Sequence, residues 1–308
     1  MRKILIASII VALSLCSCIH RDLQECRTAD LFVNIYVERF ADEQAFSRAV
    51  PFVETSEGSF SRRIRKLDYY LYKDGVLVES GPIEEAGRTG APHYTFSRKQ
   101  MPWGEYKLAL IANCTESVIT GSFEDLDGLN IVYPGIGETD DYFIGVLPIT
   151  INENKTHEYD AQLKRLHGVV RYNLIDIDPE ITAVEVSMDG LTCNGCMAGT
   201  YSEDFDYSKV IYTKTGSVLT EAENINPDPD IVGTFPTMEG GRSSWSVRIY
   251  KDDPDTPFYE RTISTDIAVV RNRLLDLSLV LEKDNYSFRI AVDADWDGKT
   301  EGGIIIIN

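Results

Sequence analysis

The stretch that decides the fold consists of two apolar runs joined by Asp-Gly: Leu67-Asp68-Tyr69-Tyr70-Leu71-Tyr72-Lys73-Asp74-Gly75-Val76-Leu77-Val78. Leu67, Tyr69 and Leu71 recur at every second position, which is the period of a strand with one buried face. Asp-Gly between two such runs is a strong short-range signal for a β-hairpin. The stretch therefore predicts two antiparallel strands with a tight turn between them.

The same period of two extends along most of the chain. Tyr142 to Ile151 is a further apolar run, in which Pro148 indicates an edge strand or a bend. No long stretch has the helical period. The alternating positions are Leu31, Val33, Ile35 and Val37; Tyr106, Leu108 and Leu110; Val169, Arg171 and Asn173; Val184, Val186 and Met188, which lead to Asp189-Gly190; Trp245, Val247 and Ile249; Leu275, Leu277, Leu279 and Leu281; and Phe288, Ile290 and Val292.

Many short strands separated by turn signals predict an all-β chain of two tandem β-sandwich domains. The polar stretch Asn152 to Glu158 indicates the boundary, which gives an N-terminal domain over 29–160 and a C-terminal domain over 161–308. Residues 115–141 form a long acidic segment. We interpret it as a solvated connection, with a short helix or a binding surface as the alternative.

The N-terminus predicts a lipoprotein signal peptide over residues 1–17. A short basic region precedes the apolar run Ile4 to Leu15, which is shorter than the roughly 20 residues that a membrane-spanning helix needs. Ser17 then stands directly before Cys18, as in the lipobox of bacterial lipoproteins. Cys18 is the predicted lipidated residue at the start of a linker over 18–28, and Cys16 is a poor alternative because bulky Leu15 precedes it. An ordinary secretory signal cleaved elsewhere is the competing interpretation.

The composition limits the partners of the chain. Among 308 residues, 30 Lys and Arg stand against 49 Asp and Glu, which gives a formal net charge of −19. Such a surface repels phosphate backbones and anionic lipid headgroups. Nucleic acid is therefore not an expected partner, and a lipid on Cys18 must supply any membrane attachment.

The cysteines that would remain after lipidation do not form a dense disulfide framework. They are Cys26, Cys114, Cys193 and Cys196. Cys193 and Cys196 have the CxxC spacing, but zinc would need two further ligands and the histidines are scattered. We expect either a local disulfide or two thiols in a loop.

A second candidate site lies near the C-terminus. Asp293, Asp295 and Asp297 alternate before Gly298, as at the start of a calcium loop, but the twelfth loop position is Ile304 instead of glutamate. An acidic strand end followed by a turn explains the same residues.

No catalytic signature is present: the sequence lacks a nucleophile elbow, a P-loop and a dinucleotide fingerprint. We therefore expect no enzyme activity, no catalytic residue and no cofactor. Six aromatic residues would suit sugar stacking if they were exposed together, but alternating aromatics in strands more often form core. They are Tyr69, Tyr70, Tyr72, Trp103, Trp245 and Trp296.

Several motifs in order resemble one family, the fimbrial anchor lipoproteins of Bacteroidales, of the minor-fimbrium type. Behind the lipobox come Arg21 to Cys26, the strand Leu31 to Ile35, and Pro102 to Lys107 before an apolar strand that ends at Asn113. Leu163 to Arg171 opens the second half, and Val270-Arg271-Asn272-Arg273 leads into the long leucine series. The resemblance spans most of the mature chain.

The resemblance implies two transthyretin-like sandwiches held by lipid to the outer membrane, exposed at the cell surface, with fimbrial (pilin) subunits as partners. It implies a role at the base of a fimbrium, where the anchor tethers the fibre and limits its length. In related pilins an arginine-specific protease removes a first strand, and a neighbour's strand fills the groove. The anchor keeps its N-terminal segment.

Two alternatives follow from the same residues. Cleavage at Arg48 or at Arg62-Arg63 would make the chain a polymerising or tip subunit, and Ile304, Ile305, Ile306 and Ile307 would be a candidate exchanged strand behind two glycines. The same tail could instead close its own domain as the last strand.

A surface glycan-binding lipoprotein is the third hypothesis, after the anchor and the polymerising or tip subunit.

Overall fold

A computed structural model describes residues 27–38, 59–133, 141–213, 230–237, 241–264, 268–282, 285–292 and 304–307. Across these ranges the regular elements are β-strands and three short 3-10 helices, Phe60–Arg62, Ala86–Arg88 and Glu116–Val118, with no α-helix. The predicted all-β fold class is confirmed. In the part described, no helix is long and apolar enough to cross a membrane.

The strands are β1 Thr28–Val37, β2 Leu67–Lys73, β3 Val76–Pro82, β4 Tyr94–Pro102, β5 Gly104–Ala112, β6 Ile119–Thr120, β7 Asn130–Val132, β8 Phe143–Ile151, β9 His157–Arg165, β10 Gly168–Ile175, β11 Ala183–Cys196, β12 Tyr201–Thr213, β13 Asp230–Thr234, β14 Ser244–Tyr250, β15 Tyr259–Ser264, β16 Leu274–Glu282, β17 Asn285–Val292 and β18 Ile304–Ile307.

The predicted hairpin is present as β2 and β3. Its two turn residues have positive φ angles, 51° at Asp74 and 81° at Gly75. A two-residue turn of this kind matches the twist of the strands it joins, and it favours Asp-Gly because most side chains resist positive φ. Lys73 pairs with Val76 directly across the turn.

The first half of the chain forms a seven-stranded sheet in the order β3-β2-β5-β8-β9-β1-β4. The sheet folds over at β8 and β9, which pair only through Phe143 with Arg165 and Ile144 with Lys164. Beyond Ile144 the two strands separate, so Pro148 lies on an open edge, as predicted. The inner faces of the two layers enclose one apolar core, which includes Leu31, Phe96, Leu71 and Leu108.

The second half of the chain, with β6 and β7 from the first half, forms a sandwich of two sheets. A five-stranded sheet has the order β13-β10-β16-β17-β18, and a second sheet has the order β15-β14-β11-β7-β6, with β12 paired to the other side of β11. Trp245, Leu277 and Val186 lie in the core between them. The second Asp-Gly pair forms no hairpin, because β11 continues through it with a register shift between Met188 and Leu191.

The segment 115–133 is not the solvated connection that its acidic composition suggested. Leu129 and Ile131 are fully buried in a third apolar cluster, together with Ile111 on the outer face of the first sandwich and Phe235 from the second half. β7 pairs with β11 across the boundary predicted at residues 160–161. The segment therefore joins the two sandwiches through apolar contact.

Candidate functional site

The first strand, β1, occupies an internal position in the seven-stranded sheet. It pairs in parallel with β9, from Leu31 opposite His157 to Val37 opposite Leu163. On its other side it pairs antiparallel with β4, from Thr28 opposite Pro102 to Ile35 opposite Tyr94. We call the space between β9 and β4 that β1 fills the β1 slot.

The inward face of β1 is aliphatic and wholly buried. Leu31, Val33 and Ile35 have no exposed surface, and full burial of such a side chain stabilises the fold by about 1.5–3 kcal/mol. The outward face carries a polar ladder in which Thr95 Oγ1 donates to Asn34 at 3.0 Å and Asn34 Nδ2 donates to Asp160 at 3.3 Å. The strand is thus held by main-chain bonds on both sides and by the core on one face.

Glu38 fixes the end of the strand. Its backbone N–H donates to the Leu163 carbonyl at 2.8 Å. Its carboxylate accepts hydrogen bonds from both terminal nitrogens of Arg271, with Nη2 at 3.1 Å, and from the backbone N–H of Arg165 at 3.0 Å. The pairing of Glu38 and Arg271 joins residues that are 233 positions apart, so it connects the first strand to the second half of the chain.

Arg165 lies beneath this contact in a buried ion pair. Its Nε donates to both carboxylate oxygens of Asp141 at 2.8 Å, and the two side chains are only 1% and 3% exposed. Nη1 donates to Asn272 Oδ1 at 2.6 Å, and the guanidinium lies 5.1 Å from the centre of the Phe143 ring. These partners satisfy a cation that would otherwise be costly to bury.

Two of the motifs noted in the sequence meet at this point. Leu163 to Arg171 supplies the end of β9 and the start of β10, and Val270 to Arg273 precedes β16. The backbone N–H of Asn272 donates to the His167 carbonyl at 2.6 Å, and that of Val169 donates to the Arg273 carbonyl at 2.8 Å. The two motifs therefore build one joint, against which Glu38 rests.

His167 is buried in this joint among aromatic rings. Its ring centre lies 5.1 Å from those of Tyr142 and Phe235 and 6.0 Å from that of Tyr133. Burial, together with the positive charge of Arg165, lowers the pKa of His167 from 6.5 to about 3. The imidazole is therefore neutral at physiological pH and serves as packing.

Several predicted residues lie outside the described ranges. These are the signal peptide with Cys16 and Cys18, the cleavage candidate Arg48, and the calcium candidates Asp293, Asp295 and Asp297. Within the part of the chain that is described, no cluster of His, Cys, Asp and Glu has the makings of a metal site.

The second cleavage candidate, Arg62-Arg63, is part of a hydrogen-bonded turn. The Arg63 N–H donates to the Phe60 carbonyl at 3.1 Å, and the Arg63 carbonyl accepts from Asn113 Nδ2 at 2.7 Å. Phe60 and Ile64 anchor both sides of the turn in the core. A protease that binds its substrate extended would have to unfold this turn first.

The CxxC pair is not a disulfide in the structure. Cys193 and Cys196 are both thiols, and they lie in β11 instead of a loop. Three residues of extended chain separate their Cα atoms by roughly 10 Å, whereas a disulfide needs less than about 7 Å. The Cys196 thiol instead lies 2.8 Å from Thr200 Oγ1.

Ile304 to Ile307 form β18, which pairs antiparallel with β17 at the edge of the five-stranded sheet. In this arrangement the tail closes its own sheet. Three of the six aromatic residues considered for sugar stacking are core: Tyr69, Tyr72 and Trp245 are 6%, 2% and 1% exposed. Tyr70 and Trp103 are partly buried against the apolar clusters. Trp296 lies outside the described residues.

The sequence did not reveal the contact of Glu38 with Arg271. Arg271 lies in a motif that we noted, but its partner follows a strand at the other end of the chain. Nothing local links the two positions, because parallel pairing of β1 with β9 is what brings them together.

Several solved bacterial structures have a similar fold. The Mfa2 fimbrial anchor protein of Porphyromonas gingivalis superposes with a TM-score of 0.53 at 11% identity, covering 91% of this chain and 96% of that one. A candidate polysaccharide-binding protein of Bacteroides thetaiotaomicron superposes with a TM-score of 0.59 at 13% sequence identity, and the match covers 90% of this chain and 98% of that one. A fimbrial assembly protein of Parabacteroides distasonis superposes with a TM-score of 0.52 at 9% sequence identity, and the match covers 90% of this chain and 99% of that one.

At sequence identities this low, the three superpositions show a shared fold and nothing more. No curated protein sequence matches the chain. The family model of the fimbrillin-A associated anchor proteins Mfa1 and Mfa2, however, matches residues 44–301, which is most of its length. The chain described here therefore belongs to the family of fimbrillin-A associated anchor proteins.

Proposed function

We propose that this protein is an outer-membrane lipoprotein that tethers the base of a fimbrium and limits its length. The lipid would be carried on Cys18 and the partner would be a fimbrial (pilin) subunit. The single observation that carries the proposal is that the first strand after the lipid site is an internal strand of the protein's own sheet.

The position of β1 suits a tether. Thr28 lies ten positions after Cys18, and an extended chain of that length spans at most about 35 Å. A force on the lipid would pull along β1, whose main chain is bonded to β9 and β4. Extraction of the strand would have to break these bonds together with the buried contacts of Leu31, Val33 and Ile35.

The same position suits a terminal subunit. An incomplete sandwich accepts a strand from a neighbour because it has unpaired edges and an open core. Here β1 fills the slot between β9 and β4, so this slot is closed to a strand from a neighbour. A subunit that cannot accept a strand in this way would stop growth at its own end of the fibre, which supports the limit on length.

Replacement of the lipidated residue in the native cell tests the proposal. We expect Cys18→Ala to release long fimbriae into the medium. Cys16→Ala is the matched control, since it removes the neighbouring cysteine while keeping the lipobox cysteine, and it should keep fimbriae attached. Fimbriae that stay attached and of normal length in Cys18→Ala would contradict the anchor role.

The second candidate function is a polymerising or tip subunit matured at an arginine. The observation in its favour is that Arg48 lies between β1 and β2 in the chain, so cleavage there would separate the first strand from the rest of the protein. Arg62-Arg63 suits cleavage less well because its turn is hydrogen-bonded. N-terminal sequencing of the fibre-associated protein distinguishes the two: a start at Ala49 favours the subunit, and a blocked Cys18 favours the anchor.

A further inference from the structure

The side chains that fill the β1 slot do not by themselves define which strand belongs there. Leu31, Val33 and Ile35 are aliphatic residues at alternate positions, and many strands share that pattern. The hydrogen bonds to β9 and β4 come from the main chain, so they do not depend on which side chains the strand carries. Asn34 adds side-chain hydrogen bonds to Thr95 and Asp160, but these are exposed. Firm discrimination between strands therefore needs a contact that is charged and partly buried.

Glu38 supplies such a contact at the end of the slot. Its carboxylate accepts three hydrogen bonds, two from the Arg271 guanidinium and one from the Arg165 N–H. The Glu38 side chain is 18% exposed and that of Arg271 is 30% exposed. Charge-assisted bonds with a two-pronged guanidinium are stronger and more directional than neutral ones.

Arg271 is held ready for a carboxylate by the joint itself. Its Nη1 also donates to the Arg165 carbonyl at 3.0 Å, which orients the guanidinium toward the slot. Burial tends to lower the pKa of Arg271, but the hydrogen bonds to Glu38, the charge of Glu38 and the interaction with Tyr201 together outweigh burial and raise it. Without the carboxylate, a partly buried cation would lose its charged partner, which is costly.

We propose that Arg271 and the backbone N–H of Arg165 form a carboxylate-binding site that locks β1 in its slot. A strand without a carboxylate at this position, whether part of this chain or supplied by another, would be held far less firmly. The site makes occupancy of the slot depend on one residue beyond the strand. The proposal rests on the proposed function only in that β1 is the strand that carries the lipid.

The test uses the full mature chain with a recognition sequence for a site-specific protease inserted between residues 39 and 58. After cutting, the N-terminal fragment stays bound without a covalent link. A fluorescent synthetic peptide of residues 27–38, amidated at its C-terminus so that Glu38 is the only carboxylate at that end, is exchanged into the slot, and its release is followed in an excess of unlabelled peptide. The folded body is the same throughout this first arm, because only the peptide varies.

We expect the Glu38→Gln peptide to be released at least 10-fold faster than the native peptide, since hydrogen bonds to charged groups contribute about 1.5–3 kcal/mol. Asp30→Asn is the matched control. Asp30 accepts from the Gln100 N–H at 3.0 Å, and asparagine keeps that acceptor, so release should be unchanged. Equal release of the Glu38→Gln and Asp30→Asn peptides would overturn the proposal.

A change in the body supplies the second arm. Arg271→Gln should speed release of the native peptide by a similar factor. It should not increase the release rate of the Glu38→Gln peptide any further. Arg248→Gln is the control, because that arginine pairs with Glu260 at the surface. Additive effects of Glu38→Gln and Arg271→Gln would contradict a shared site. Neither arm uses lipid or fimbriae, so the result is independent of the anchor role.

Discussion

Replacement of Asp141 by asparagine should destabilise the joint between the two sandwiches strongly. Asp141 is the charged partner of Arg165, and both side chains are almost completely buried. Asparagine has nearly the same shape, but it removes the negative charge and presents an amide N–H₂ where one carboxylate oxygen accepted from Nε. The variant therefore isolates the loss of the ion pair from any loss of packing.

The magnitude follows from the surroundings of Arg165. Breaking a buried ion pair by removing one partner costs about 3–5 kcal/mol, because the remaining charge has no compensation. Arg165 keeps its bond to Asn272 and its contact with the Phe143 ring, so we expect the lower end of that range. A loss of about 3 kcal/mol corresponds to a fall in melting temperature of about 6–12 °C for a domain of this size.

Urea unfolding followed by circular dichroism measures the effect. Glu153→Gln is the matched control: it also neutralises an acidic partner, but its pair with Lys155 is exposed on both sides. The control should unfold at the same urea concentration as the native protein. The reasoning would be refuted if Asp141→Asn and Glu153→Gln unfolded at the same concentration.

Three further predictions concern the joint and the thiols. The pKa of His167 is lowered from 6.5 to about 3 in the folded protein, so only the unfolded state takes up a proton as the pH falls from 6.5 to 4.5. Over that range the free energy of unfolding of the native protein should fall by roughly 2 kcal/mol relative to that of His167→Phe. Urea titrations at each pH test this, and parallel curves would contradict it. Gly168→Ala should cost about 1–3 kcal/mol, because the new Cβ would lie 2.5 Å from a backbone oxygen. Gly90→Ala has open space around it and should be near neutral by thermal melting. Mild oxidation should not join Cys193 to Cys196, and a Cys193–Cys196 disulfide found by peptide mapping would contradict their separation in β11.

The local sequence pattern predicted the strands well, because apolar and polar residues alternate along a half-buried strand. The Asp74-Gly75 turn and β2 could be predicted because the residues that determine them lie within a dozen positions of one another. The same Asp-Gly signal was no guide at Asp189-Gly190. There β11 continues through a register shift between Met188 and Leu191, because β12 pairs with it on both sides of the Asp-Gly pair, whereas β14 pairs with it only as far as Met188.

The joint could not be predicted from local pattern. Acidic residues in 115–133 obscured the buried Leu129 and Ile131, since the segment has too few apolar positions to show a period. The Glu38–Arg271 contact depends on two strands from distant parts of the chain lying in parallel, and non-local pairing leaves no trace in either segment. Only the motif order suggested that Leu163 to Arg171 and Val270 to Arg273 mattered.

The identity of the mature N-terminus tests the central claim most directly, because anchoring by β1 requires that the lipid and the strand remain on one chain. Mass spectrometry of the protein extracted from outer membranes gives that identity. The anchor role predicts a lipid-modified Cys18 that is continuous through Thr28 to Glu38. A membrane-associated or fibre-associated form that begins at Ala49 and has lost β1 would contradict it.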